Sequence, residues 1–235
     1  MQLNIRPDAD QATRSAGVWL QAAIARSIGQ RGRCSVAISG GSTSGALLEQ
    51  LGTATLPWNA VDVFQVDERI APPQAEARNL RVLARHLAGH AGVRIHPMPV
   101  ESDDLDAAAA RYQSVLRRVC GTPPVLDVVH LGLGADGHTA SLIPGDAALR
   151  IVDADVALTA IYQSYRRMTL TMPVLRNAGQ QLWLVTGAVK ADALHELLRA
   201  GPRDSRRSPA AQAGDTNATV FIDESAAGPL RRHPA

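Results

Sequence analysis

A chain of 235 residues that is 46% apolar and only 3% aromatic can fill a sizeable core, and must fill it with aliphatic side chains. So few rings argue against single-stranded nucleic-acid binding, which needs stacking platforms, and a net charge of +2 spread in both signs offers no basic stripe for a duplex. Two cysteines, Cys34 and Cys120, make no disulfide framework and suit a reducing, cytoplasmic setting. Residues 1–11 lack the apolar centre of a signal peptide, and no apolar run approaches the roughly 20 residues that span a bilayer.

From the N-terminus, Asp8 or Asp10 is placed to cap a first helix. Ala12, Ala16, Trp19, Leu20, Ala23 and Ile24 recur there at helical spacing until Gly29 and Gly32 break the run. Residues 34–39 (CSVAIS) read as a strand. Gly40-Gly41-Ser42-Thr43 follow at once, ahead of a helix with Leu47, Leu48 and Leu51 on one face. Such a turn is either a plain turn with a helix cap or a cradle whose N–H groups and hydroxyls face an anion. The tetrapeptide alone does not separate the two. Residues 61–66 (VDVFQV) form a third strand that runs out into Asp67-Glu68-Arg69. Charges there are either a solvated strand end or active groups, which gather at strand ends in parallel sheets. Pro72 and Pro73 stiffen the next loop, and a helix over 75–87 carries Asn79 near its start. His86 and His90 have the spacing of a metal pair, but Leu87 sits where a zinc protease needs Glu, so both are expected at the surface.

Asp103 or Asp104 starts a long amphipathic helix that ends near Gly121. Residues 125–131 (VLDVVHL) are β-branched and too few for a helix, so they read as a buried strand. Gly132, Gly134 and Gly137 then let the backbone turn sharply and approach a ligand, and His138 sits in that turn, with a short helix expected from Thr139. Residues 156–161 and 168–171 are strands joined by 162–167. Residues 181–186 (QLWLVT) form a buried strand ending in Gly187. Lys190 falls in the first turn of the next helix, where it opposes the dipole unless an anion sits beside it. Residues 199–215 are a polar surface loop, 219–222 a last short strand, and the tail from Gly228 is expected to fray. The alternation of strands and helices predicts an α/β fold, its mainly parallel sheet covered on both faces, in one domain spanning residues 1–235.

The run from Gly132 to Gly137 fits the G-x-G-x-x-G pattern, and Asp153 or Asp155 lies at about the ribose-acid spacing. Against a dinucleotide site stand the polar pair His138-Thr139 and the helix-ending Pro144-Gly145. A Walker A loop would need lysine where His138 stands. There is no G-x-S-x-G elbow, neither cysteine follows a strand at a turn, and no zinc-ligand cluster is visible. What remains is one histidine and several Asp, Arg and Lys residues at strand ends and helix starts. That set suits metal-free acid–base chemistry on a phosphorylated small molecule.

These stretches resemble the glucosamine-6-phosphate isomerase/6-phosphogluconolactonase family. The resemblance rests on SGGST at 39–43, VDER at 66–69 with Pro72 and Asn79, and LGLGADGHTASLIPG at 131–145. It extends to RMTLT at 167–171, Gly187 with Lys190, SPA at 208–210 and DESA at 223–226. The chain departs from the family at Ser44, Ala71 and Arg78, where proline, valine and serine are usual. The resemblance implies a Rossmann-like fold and hydrolysis of 6-phosphoglucono-1,5-lactone to 6-phosphogluconate without metal or cofactor. The alternatives are a glucosamine-6-phosphate deaminase/isomerase or a non-catalytic sugar-phosphate-binding module. The lactonase branch is favoured by Ile143, which stands where deaminases carry an acid and cannot exchange a proton. His138 is then the expected general base, oriented by Asp136, with Arg69 facing the developing carbonyl charge and Asp67 a sugar hydroxyl. Gly40, Gly41, Ser42, Thr43, Asn79, Arg167 and Lys190 are the expected substrate- and phosphate-binding residues. The expected partner is a small-molecule phosphosugar lactone, with no nucleic acid and no membrane, and the chain is expected as a monomer or weak homo-oligomer.

Overall fold

The computed structural model describes residues 1–41, 43–199, 207–214 and 217–228. Strand β1 (Gln2–Arg6) leads into helix α1 (Ala9–Arg31), β2 (Cys34–Ile38), α2 (Ser44–Gly52), β3 (Val61–Gln65), β4 (Asp67–Arg69) and α3 (Asn79–Leu87). Then come β5 (Arg94–His96), α4 (Leu105–Cys120), β6 (Val128–Leu131), β7 (Val156–Leu158), β8 (Arg167–Leu170) and α5 (Met172–Arg176). The chain closes with β9 (Gln180–Val185), α6 (Ala191–Leu198), α7 (Pro209–Ala213) and β10 (Ala218–Asp223).

Seven strands make one sheet in the order β1-β10-β9-β6-β2-β3-β5, and every neighbouring pair in it is parallel. Alternation along the strands divides the core in two. Val36, Ile38, Val63, Leu182 and Leu184 pack under α1, α2 and α3, while Ala37, Phe64, Val129, Leu131 and Trp183 face α4 and α6 on the other side. Both faces are covered, so the central strands are apolar throughout rather than alternating. Local signals agree with this packing. The Asp8 carboxylate accepts the Gln11 amide at 2.7 Å and caps α1, Gly32 ends it at φ 71, and Asp104 accepts the Ala107 amide at 2.9 Å to cap α4. Each such cap is worth about 1 kcal/mol.

The order places β2 beside both β3 and β6. The chain winds outward from β2 to β3 and β5, then returns to β6 and winds the other way. Strand ends on either side of such a reversal diverge and leave a crevice. A second sheet, β4-β8-β7, is antiparallel and carries its own set of side chains to that crevice.

Several expectations need correction. Strand β1 is absent from the sequence reading; its five residues QLNIR alternate too briefly to stand out. Of the two readings of Asp67-Glu68-Arg69, the solvated strand end fails: it is a strand of the second sheet, with Asp67 and Glu68 buried. Helix α3 starts at Asn79 rather than at residue 75. No helix begins at Thr139: Ala140 has φ 52, and Thr139 bridges to Leu142, so the backbone doubles back tightly. Within the supposed surface loop, α7 is buried. Ser42, much of that loop and most of the tail lie outside the described residues.

Candidate active site

The crevice is a cleft of about 220 Å³. Ser39, Gly40, Gly41 and Thr43 line it from the exit of β2, Asp67 and Arg69 from β4, and Gly132, Leu133, Gly134, His138 and Ala140 from the exit of β6. Arg167 of β8 and Lys190, after β9, complete the wall.

The three-glycine turn builds the histidine's seat. Gly134 donates its amide to the His138 carbonyl at 2.9 Å, and Gly137, at φ 81, donates to the Gly134 carbonyl at 3.0 Å. A Cβ on Gly134 would overlap the imidazole Nδ1 and crowd the Asp136 carboxylate, so only glycine lets the ring lie on that backbone. Ser208 and Ala210 brace the turn from behind. The Ala210 amide donates to the Gly137 carbonyl at 2.9 Å, and Ser208 packs against Gly137. His138 Nδ1 lies 2.6 Å from Asp136 Oδ1, which also accepts the His138 amide at 3.1 Å. Burial works against the Asp136 charge, but those bonds, the nearby imidazole and the Tyr162 hydroxyl outweigh it and hold the carboxyl below its usual range. An ionised carboxylate only accepts, so Nδ1 is the donor, and in the neutral ring the lone pair is on Nε2.

Asp67 is buried and oriented from two sides. The Ser141 hydroxyl donates to its Oδ2 at 2.6 Å, and Asn79 donates to its Oδ1 at 3.3 Å and to its carbonyl at 2.9 Å. Asn79 Oδ1 in turn accepts Arg69 Nη1 at 2.9 Å. Arg167, only 2% exposed, donates weakly to Ser141 at 3.5 Å and to the Tyr162 carbonyl at 3.3 Å. Burial, then the charge of Arg69, pull the Arg167 pKa below its ordinary value, only partly offset by Asp67. Among the described residues, Nε of Arg69 and Nε of Arg167 are buried with no hydrogen-bond partner, and neither guanidinium forms a salt bridge.

At the exit of β2, Gly41 turns the chain at φ 110 into the N-terminus of α2. Thr43, the N-cap of that helix, makes no side-chain capping bond, which disfavours the reading of a plain capped turn. A Cβ on Gly40 would overlap the Asn79 amide, so the turn lies flush against the β4 side. Lys190 is half-buried; burial lowers its pKa and Asp223 partly restores it.

The structure therefore brings Gly40, Gly41, Thr43, Asp67, Arg69, His138, Arg167 and Lys190 to one cleft, from five stretches of the chain. Asp136 stands behind His138 rather than on the wall. Asn79 is not on the wall either; it holds Asp67 and Arg69 from the start of α3 and abuts the Gly40 turn. Arg166 is exposed and reaches toward the Thr159 carbonyl, so of the two adjacent arginines Arg167 is the one in the cleft. His86 and His90 join no metal cluster among the described residues, and His90 stacks on Trp58 with ring centroids 4.2 Å apart. Two residues escaped the sequence reading. Ser141 meets Asp67 across 74 positions, a pairing that no local pattern signals. Tyr162 donates to Asp136 Oδ2 at 3.0 Å from a turn with no motif of its own.

Fold and site together define a parallel α/β protein whose strand exits enclose a cationic, histidine-bearing cleft. The family profile described as glucosamine-6-phosphate isomerases/6-phosphogluconolactonase matches residues 7–222. A 6-phosphogluconolactonase of Mycobacterium tuberculosis is 34% identical over 245 residues, covering 97% of this chain and 98% of that one. The solved 6-phosphogluconolactonase of Leishmania guyanensis superposes with a TM-score of 0.82 at 26% identity, over 96% of this chain and 97% of that one. A monomeric glucosamine-6-phosphate deaminase superposes equally well, with a TM-score of 0.82 at 17% identity over 97% and 99% of the two chains, so the backbone alone does not separate the two activities. The chain belongs to the glucosamine-6-phosphate isomerase/6-phosphogluconolactonase family. Among the described residues, no helix is long and apolar enough to cross a membrane.

Proposed function

We propose that this chain hydrolyses 6-phosphoglucono-1,5-lactone to 6-phosphogluconate, with His138 as general base. The observation that carries the reading is His138, backed by Asp136, on the wall of a cleft that also presents Arg69, Arg167, Lys190 and Asp67. Water attacks C1 of the lactone and gives a proton to Nε2. The negative charge that develops on the C1 oxygen faces Arg69. The C1–O5 bond then breaks, and the imidazolium returns its proton to the ring oxygen. The new carboxylic acid ionises, so each turnover releases one proton to solvent.

Gly41 and Thr43 present backbone N–H groups at the start of α2 for the substrate phosphate, joined by Lys190 and Arg167. Ser42 belongs to the same proposed cradle but lies outside the described residues. Asp67, fixed by Ser141 and Asn79, is aimed at a sugar hydroxyl. Lactone hydrolysis is favoured over deamination because Ile143, the counterpart of an acid in the deaminases, is a buried aliphatic side chain that exchanges no proton. The substrate is the one partner this chemistry requires, and it uses no metal or cofactor. Both cores share the seven-stranded sheet, which supports one domain. Its free thiols, Cys34 and Cys120, suit the cytoplasm.

Proton release on adding fresh 6-phosphogluconolactone, corrected for spontaneous hydrolysis, tests the reading. Acceleration that His138→Asn abolishes is the expected result. No acceleration over buffer, or ammonia release from glucosamine 6-phosphate instead, would overturn it.

A further inference from the structure

Tyr162 touches three of the groups just assigned. Its hydroxyl donates to Asp136 Oδ2 at 3.0 Å, while Oδ1 of the same carboxylate takes the His138 ring nitrogen. Its ring meets the imidazole edge to face, with centroids 5.5 Å apart and planes at 68°. The Arg167 guanidinium carbon lies 5.1 Å from the centre of that ring, and Arg167 Nη2 donates to the Tyr162 carbonyl. The backbone holds the residue in place. Tyr162 and Tyr165 bridge through two N–H···O bonds of 2.9 and 3.3 Å across a two-residue turn between β7 and β8. Gln163 and Ser164 both take positive φ there, 46° and 72°, as the tight hairpin turn that matches strand twist requires.

We infer that Tyr162 is a positioning residue of this site. Its hydroxyl pins the outer carboxylate oxygen so that the inner one stays on His138, and its ring seats Arg167 toward the substrate anion. The inference rests on His138 being the base, as proposed above. Two functions in one side chain are separable by chemistry. Tyr162→Phe removes only the hydroxyl. Tyr162→Leu removes the hydroxyl and the π face that a guanidinium favours.

The loss of a hydrogen bond to a charged group predicts that Tyr162→Phe lowers kcat about tenfold with KM within about twofold. Without that donor the Asp136 carboxylate becomes more basic and stabilises the imidazolium, so the acidic limb of the kcat/KM profile moves to higher pH. Tyr162→Leu shows the same fall in kcat and, in addition, a KM raised about fivefold through the unseated Arg167. A merely structural role would lower the melting temperature and leave both the limb and the split between kcat and KM where they were. The three proteins to compare are Tyr162→Phe, Tyr162→Leu and His138→Asn. Wild-type kcat and pH profile in Tyr162→Phe, beside an inactive His138→Asn, would overturn the inference and leave the base assignment standing. Full activity in His138→Asn would overturn both.

Discussion

Arg69 and Arg167 stand directly opposite each other across the antiparallel pair of β4 and β8. Like charges in that register repel, and Asp67, the carboxylate beside them, is already bonded to Ser141 and Asn79. An anionic ligand that engages both cations offsets the repulsion, so binding and stability are coupled. 6-Phosphogluconate at 100 times its Kd raises the unfolding free energy by about 2.7 kcal/mol, read as a rise in Tm. Arg167→Met relieves the repulsion without the ligand. Its Tm is expected to respond much less to the same ligand, and its KM to rise. A ligand-induced shift equal to that of the wild type would place the anion elsewhere.

Gly134→Ala puts a methyl group where the imidazole and the Asp136 carboxylate lie. The side chain of His138 is only half-buried, 23% exposed at the cleft, and can move aside, so the fold survives while the base leaves its seat. A displacement of about 1 Å costs on the order of a hundredfold in turnover. Lactone hydrolysis should fall by that order with Tm close to wild type. A collapse of Tm together with activity would make the glycine a folding requirement instead.

Glu68 is wholly buried between two halves of the site. Its carboxylate accepts the Asn79 amide at 2.8 Å and the Leu80 amide at 2.9 Å, two of the unpaired donors at the start of α3. It also accepts the Arg69 amide and the Gln65 side chain, and Arg78 Nε lies 3.3 Å away. Glu68→Ala strips three backbone amides of their acceptor and leaves Arg78, itself 2% exposed, with the exposed Glu101 as its remaining charged neighbour. That change should cost roughly 3–5 kcal/mol in urea unfolding. Glu68→Gln keeps an acceptor for the helix amides and should cost clearly less. Equal losses in the two variants would mean that the charge, not the helix start, is what Glu68 supplies.

The parts of the site legible in sequence are those in which a glycine turn and a polar residue follow an apolar strand. Gly40 to Thr43 and Gly132 to His138 announce themselves this way, because only glycine takes the positive φ seen at Gly41 and Gly137 without strain. In the second sheet β7 and β8 were legible as strands, but β4 was not. Asp67-Glu68-Arg69 is three charged residues, and their burial comes from partners 10 to 100 positions away, among them Ser141, Asn79 and the strand opposite. Helix α7 hid for the opposite reason: SPAAQA is short and small-sided, and it is buried only because the Gly137 turn and α6 close over it. The helix expected after Thr139 fails because the Ser141 hydroxyl is needed at Asp67, and a tight turn at Ala140 delivers it.

His130 gives the fold a dependence on pH of its own. It lies in β6, flanked in register by Ile38 and Leu182, fully buried, and among the described residues neither ring nitrogen has a hydrogen-bond partner. Burial pushes its pKa down from 6.5 to about 4. The unfolded chain therefore binds a proton between those values that the folded chain refuses. Stability is complete above pH 6.5, falls as the pH drops toward 4, and is not lowered further by this group below that. Across the window from pH 7 to pH 4.5 the loss amounts to roughly 2 kcal/mol. His130→Leu fills similar space with no titrating atom, so its unfolding free energy should fall by that much less over the same interval. At pH 7 it should match or exceed the wild type, since two unpaired buried nitrogens are removed. Urea titrations at the two pH values decide it. An unchanged acid slope in the variant would assign the sensitivity to the carboxylates instead.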